Sequence, residues 1–215
     1  MNQATLPASD SIKRGRRLEY LTLGWNLGEA AVAIGAGLLA GSTALLGFGI
    51  DSLIESLSGS VLLWRLSHGE KGERREQTAR KLVERREQTA RKLVGISLLI
   101  LATYVGFEAA ESLAKREPPA ASYVGIALAV LSVIVMPLLA RAKRKVAASL
   151  KSRAMHADSK QTDICAYLSA ILLLGLGANA LFGWWWADPV AALVMVPIIG
   201  KEGIEAMRGG TCCCA

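Results

Sequence analysis

The sequence predicts an all-α polytopic membrane protein with six transmembrane helices and both termini in the cytoplasm, and three observations carry that prediction. The 215 residues are 52% apolar, with a mean hydropathy of +0.35, which water-soluble domains seldom reach. The apolar residues form six blocks, each near the roughly 20 residues that cross a bilayer as a helix. Those blocks also divide the 25 Lys and Arg into a rich side and a poor side. Such a composition excludes disordered, collagen-like and disulfide-scaffold chains, and six spans leave no room for a large soluble domain.

Taken in order, residues 1–17 form a polar cytosolic tail, and the transmembrane domain is expected over 18–207. The first block, 20–39, lacks a short apolar core followed by a small-residue cleavage site, so it reads as a retained helix and not a signal peptide. Gly24 with Gly28, and Gly37 with Gly41, give it two small-residue faces for close helix contact. The second block is 43–64 and the third 93–113, with Glu108 and Glu111 near its outer end. The fourth is 121–139, the fifth 158–182 and the sixth 188–207, which Pro197 is expected to kink. A Cys-rich cytosolic tail, 208–215, ends the chain.

With both ends inside, 23 of the 25 Lys and Arg are cytosolic: four in the N-terminal tail, ten from Arg65 to Lys92, six from Arg141 to Arg153, then Lys160, Lys201 and Arg208. Only Lys115 and Arg116 fall outside, a strong positive-inside bias. Trp184, Trp185 and Trp186 then sit at the outer headgroup level as an aromatic anchor. The net charge of +7 needs no nucleic-acid partner, because topology accounts for it. Cys165, Cys212, Cys213 and Cys214 show no disulfide-framework spacing and read as reduced thiols.

An ionisable group in mid-bilayer costs about 2.5–3.5 kcal/mol on insertion scales and marks a functional site by default. Asp51 and Glu55 lie four residues apart, on one helical face. Two such carboxylates repel in a dry interior unless a cation sits between them, and paired oxygens suit a divalent metal. The alternative is a protonated pair bonded to Ser52, Ser56 or a neighbouring helix. In the fifth block Asp158, Gln161 and Cys165 share a face, offering oxygen, amide and sulfur donors, whereas Asp163 points about 140° away from Asp158. Asn26 and Glu29 in the first block suit either the site or hydrogen bonding between helices. His156 reads as an interfacial residue.

Ser42-Thr43-Ala44-Leu45-Leu46 followed by Asp51-Ser52 and Glu55 resembles the S-x-A-L and H/D-S-x-x-D pattern of the cation diffusion facilitator family. Asn26 and Gly37 stand at that family's offsets before the serine. Ala157-Asp158, Thr162 and Ser169 are similar to its A-D-x-x-H-T-x-x-D-x-x-x-S, and Trp186-Ala187-Asp188-Pro189 to its W-x-D-P. The resemblance implies a metal site of Asp51, Glu55, Gln161 and Cys165, with Gln161 and Cys165 replacing the family's His and Asp. Asp158 and Asp163 are secondary candidates, since a shifted register would pair Ser159 with Asp163. A thiolate favours Zn²⁺ or Cd²⁺ over Mg²⁺ or Mn²⁺. The family commonly carries a cytosolic C-terminal domain, and here only the membrane part of the pattern is matched. A homodimer, if formed as the resemblance implies, is expected to use contacts between membrane helices. For the Cys212–Cys214 triplet, soft-cation capture and palmitoylation are both open.

The resulting expectation is a divalent cation transporter, Zn-like with Cd, Mn, Fe and Co as other cargoes, that works by proton-coupled efflux across a bacterial inner membrane. Its partners are then metal ion, protons, lipid bilayer and a second copy of the chain, with no cofactor and no nucleic acid. A non-transporting metal-binding regulator or partner subunit is the alternative. No enzyme is expected, because no Ser-His set, H-E-x-x-H or Cys-x-x-Cys is present.

Residues 73–83 and 84–94 are one string, ERREQTARKLV, repeated in tandem, with six charged residues of 11 in each copy. An 11-residue period is close to three helical turns, so a second copy lengthens a helix without rotating the residues beyond it. A charged cytosolic helical extension is expected over 70–94, with four basic and two acidic residues per copy reading as a solvated face. Deleting residues 73–83 should shorten it by about 16 Å and preserve transport, whereas ten- or 12-residue deletions shift the phase by about 100°. An uptake assay on the three deletions checks this. Equal behaviour would show a flexible loop, and loss with the 11-residue deletion alone would show a functional hairpin.

Overall fold

Short outer turns force consecutive apolar helices to run antiparallel, and the computed structural model, which describes residues 8–69, 77–116, 118–150 and 152–208, has this arrangement. The elements are α1 (Ala8–Ala40), α2 (Thr43–Gly69), α3 (Gln77–Lys115), α4 (Tyr123–Leu150), α5 (Arg153–Phe182) and α6 (Ala187–Met207). No strand occurs among the described residues. Five of the helices are long and apolar enough to cross a membrane, so the protein is an all-α integral membrane protein. The sixth, α6, has 21 residues but also Asp188, Lys201, Glu202 and Glu205.

The helices extend well past the apolar blocks. At 1.5 Å per residue, the 39 residues of α3 measure about 58 Å, against about 30 Å of hydrocarbon. It is unbroken from Gln77 through the whole second copy of the repeat. Residues 73–76, where the first copy begins, lie outside the described residues, as do 209–215 with the cysteine triplet. The α4 helix likewise continues past the charged stretch 141–145, and α4 and α6 run through Pro137 and Pro197 without ending.

Burial follows helical stripes. In α1 the buried positions include Gly15, Glu19, Thr22, Asn26, Glu29, Ala33 and Gly37, and in α4 they include Gly125, Ala129, Ser132, Met136, Ala140, Lys143 and Ala147. Spacings of three and four keep one face turned inward. These faces join α1, α2, α4 and α5 into a four-helix ring, to which the α3–α6 pair attaches along α2 and α5. Phe48, Leu45, Leu168, Leu172, Met195 and Ile199 fill the interior. Leu39, Phe107, Leu174 and Leu181 point outward, as a lipid-facing surface requires.

The outer turns are tied by hydrogen bonds. Gly41 adopts φ +64° and ends α1, a left-handed conformation that glycine takes without steric cost. Ser42 Oγ then donates to Asp188 Oδ1 at 2.5 Å, and the Ala44 amide to Asp188 Oδ2 at 3.5 Å, so the start of α6 caps the start of α2. Nearby, Asn179 Nδ2 donates to the Pro119 carbonyl at 3.0 Å. Trp184 and Trp186 stack at 5.3 Å between ring centres on the same end.

Gly24 and Gly28 do not make the close contact expected of them, because a Cβ on either would meet only open space. Gly37 does make one, a Cβ there standing 3.0 Å from the Leu46 amide nitrogen, and another joins α3 to α6. A Cβ on Gly95 would stand 2.7 Å from the Gly203 carbonyl oxygen, and one on Gly203 would stand 2.9 Å from that of Gly95. Gly95→Val and Gly203→Val should therefore each destabilise the protein by about 1–3 kcal/mol through overpacking of α3 on α6, with Gly24→Ala harmless. Thermal unfolding in detergent measures this; unchanged midpoints for both valine variants would contradict the close α3–α6 approach.

Candidate functional site

At 1.5 Å per residue, Asp51 and Glu55 lie about 12 and 18 Å from the outer end of α2, well inside the bilayer. They are 5% and 4% exposed. Both lie on one buried stripe of α2 with Phe48 and Ser52, within electrostatic reach of Glu202 on α6. From α5, the 2% exposed Cys165 lies beside the Glu55 carboxylate, and Thr162 Oγ1 stands 3.4 Å from Glu55 Oε1. Glu55 Oε2 is buried without a hydrogen-bond partner. Asp51 is within electrostatic reach of three further carboxylates, Glu55, Glu29 and Glu202.

Glu29 bonds between helices while also lying within electrostatic reach of Asp51 and Glu55. Its Oε2 accepts from Ser52 Oγ of α2 at 3.1 Å and its Oε1 from the Ser132 hydroxyl of α4, so it ties three helices together. The neighbouring Asn26 is buried with Oδ1 unpartnered. His156 is exposed, in keeping with an interfacial residue.

A second buried cluster lies nearer the cytosolic ends. Lys143, 1% exposed, donates to Glu19 Oε2 at 3.3 Å, to the Asp158 carboxylate, and to Thr162 Oγ1 at 3.5 Å. The positive-inside count treated Lys143 as a cytosolic-loop residue, and Glu19 fell outside the first apolar block. Both expectations are corrected: each side chain is inside its helix and sealed in the bundle. The α4 stripe carried the signal, since continuing 129, 132, 136 and 140 by three reaches Lys143.

Of the residues that the sequence singled out, Cys165 lies beside Glu55, and Asp51 is within electrostatic reach of both. Gln161 is half-buried at the edge of the α5 stripe, and its neighbour Thr162 occupies the central position. Asp158 belongs to the Lys143 cluster. Asp163 is paired with Arg144 on the outside of the bundle and does not reach the site. Among the described residues, no three His, Cys, Asp or Glu side chains converge closely enough to hold a metal ion in this conformation.

A helical bundle that seals ionisable groups at mid-depth has the build of a membrane carrier for ions. The cation efflux transmembrane domain matches residues 20–209, and the chain belongs to that family. It is 26% identical over 179 residues to an uncharacterized transporter of Synechocystis, covering 83% of this chain and 57% of that one. To a protein of Bacillus subtilis named a cadmium, cobalt and zinc/H(+)-K(+) antiporter it is 28% identical over 184 residues, or 82% of this chain and 55% of that one. To the cation-efflux pump FieF of Shewanella oneidensis it is 26% identical over 99 residues, 46% of this chain and 33% of that one. The chain spans about half the length, or less, of these curated relatives. Membership of a cation-efflux family points to a transporter rather than to an enzyme.

Proposed function

We propose that the protein exports a divalent metal cation, zinc or cadmium by preference, by alternating access, with Asp51, Glu55 and Cys165 as the principal ligands. The observation that carries this reading is the pair of buried carboxylates on one face of α2, with Glu55 Oε2 unpartnered and Cys165 beside it. Two oxygens and a sulfur suit a borderline-soft divalent ion. Gln161 supplies an amide oxygen when the side chains close on the ion. Asp158 and Asp163 are engaged elsewhere and take no part.

The ion enters from the cytosol, and protons replace it after outward opening, since protonating carboxylates and thiol removes the charge that held it. The name of the Bacillus subtilis relative, a cadmium, cobalt and zinc/H(+)-K(+) antiporter, supports both the cargo class and the exchange. The relatives being bacterial supports placement in a bacterial inner membrane. A homodimer would form through membrane helices.

Purified protein in sealed liposomes, with an imposed pH gradient and a panel of Zn²⁺, Cd²⁺, Mn²⁺, Fe²⁺ and Co²⁺, tests the reading. Zn²⁺ and Cd²⁺ should move, and Asp51→Asn or Glu55→Gln should weaken their binding by at least about 100-fold in titration calorimetry. High-affinity binding with no flux would instead favour a regulator or partner subunit. Cys165→Ser should lower Zn²⁺ and Cd²⁺ transport more than Mn²⁺ transport, and Cys165→Asp should shift preference toward harder ions. Equal losses for every ion would assign Cys165 to packing.

A further inference from the structure

The Lys143 cluster lies between the cytosol and the Asp51–Glu55 site. At 1.5 Å per residue, Lys143 is about 30 Å from the outer end of α4, Glu19 about 31 Å from that of α1 and Asp158 about 36 Å from that of α5. These depths correspond to the inner border of the hydrocarbon layer. One ammonium has three protons to donate, and Lys143 directs them to Glu19 on α1 and to Asp158 and Thr162 on α5. Thr162 Oγ1 in turn touches Glu55 at 3.4 Å, so the cluster is the floor of the site.

We propose that Lys143 is the positioning residue of a cytosolic gate: it pins α1 to α5 through Glu19 and Asp158 and so closes the approach to Asp51 and Glu55. The proposal rests on the reading that those two carboxylates hold the cargo. Two physical consequences make the pin a gate and not merely a brace. A buried positive charge repels a cation climbing from the cytosol, and strongly so in a low dielectric. Withdrawing Lys143 leaves two buried carboxylates uncompensated, which is costly until another cation takes its place. Glu19 Oε1, buried and without a partner, is an acceptor already available to that incoming ion. A divalent cation can compensate both carboxylates at once, whereas a monovalent ion leaves one of them unbalanced. The gate thus favours the charge class that the site beyond it is built to hold.

Cys165 provides a reporter, since it lies one to two turns beyond the pin and is almost fully buried. The full chain in sealed vesicles of either orientation is treated with a membrane-impermeant methanethiosulfonate bearing a trimethylammonium group. The adduct on the Cys165 peptide is followed by mass spectrometry, which separates it from adducts on Cys212, Cys213 and Cys214. The variants are Lys143→Arg, Lys143→Gln and the triple Glu19→Gln, Lys143→Gln, Asp158→Asn. The triple leaves no member of the pin charged and keeps the test valid if Lys143→Gln alone fails to fold.

The triple variant should react at Cys165 at least about tenfold faster than wild type from the cytosolic side, with no change from the outer side. Lys143→Arg should stay protected. Unchanged cytosolic labelling of the triple would overturn the gate, and so would equal acceleration from both sides, which is what general loosening produces. The readout requires no metal to bind or move. Failure of the gate therefore appears as unchanged labelling with Asp51- and Glu55-dependent metal binding intact, and failure of the cargo-site reading appears as lost metal dependence with the labelling pattern intact.

Discussion

A charge enclosed in a helical bundle within lipid has no water to turn to, so each one must find a hydrogen-bond donor or an opposite charge among its neighbours. Among the described residues, six acidic side chains are buried, Glu19, Glu29, Asp51, Glu55, Asp158 and Asp188, against one basic side chain, Lys143. The bundle treats them unequally. Asp188 is satisfied by Ser42 and the Ala44 amide, and Glu29 by Ser52 and Ser132. Glu19 and Asp158 share Lys143. What remains is Asp51, facing other carboxylates, and Glu55, with one oxygen near Thr162 and the other unpartnered. Compensation runs out at the two residues that a transported cation would complete.

The two ends of the bundle are held by different physics. Outside, hydrogen bonds from the Ser42 hydroxyl and the Ala44 amide to Asp188 join the starts of α2 and α6, and the Ala120 amide donates to the Ala40 carbonyl at the end of α1. Inside, a single ammonium joins α1, α4 and α5 through carboxylates. The outer bonds come from neutral donors and hold no cation to be displaced, whereas the inner ion pair can be exchanged, because an arriving ion supplies the same sign of charge as Lys143. An end latched by an ion pair is therefore the end at which a cation can open its own route, and the close glycine contact of α3 with α6 leaves that pair as a firm wall beside it.

Much of this was legible in the sequence. Six helices followed from block length and composition, and Asp51 with Glu55 from the cost of charge in lipid and a spacing of four. Cys165 followed from its face on α5. The misses share a cause. Delimiting a span by its apolar run stops at the first charge, and counting Lys for topology treats every Lys as solvated, so Glu19 and Lys143 were left outside helices whose stripes in fact run through them. On α5 the face was right but its centre was one residue off, placing Gln161 where Thr162 sits. Gly24 and Gly28 have the spacing of a packing face, yet spacing does not say which side of a helix a neighbour occupies. Gly95 and Gly203, from distant segments, meet only because α3 and α6 lie together.

The claim on which the rest depends is that a divalent cation completes the uncompensated cluster of Asp51, Glu55 and Cys165. X-ray absorption at the zinc edge tests it most directly, on the purified chain loaded with one Zn²⁺ and with Cys212, Cys213 and Cys214 replaced by serine so that Cys165 is the sole sulfur ligand among the cysteines. The account predicts a shell of oxygens at about 2.0–2.2 Å with one sulfur at about 2.3 Å, the sulfur lost in Cys165→Ser. A shell without sulfur, or one unaltered by Asp51→Asn and Glu55→Gln together, would contradict it.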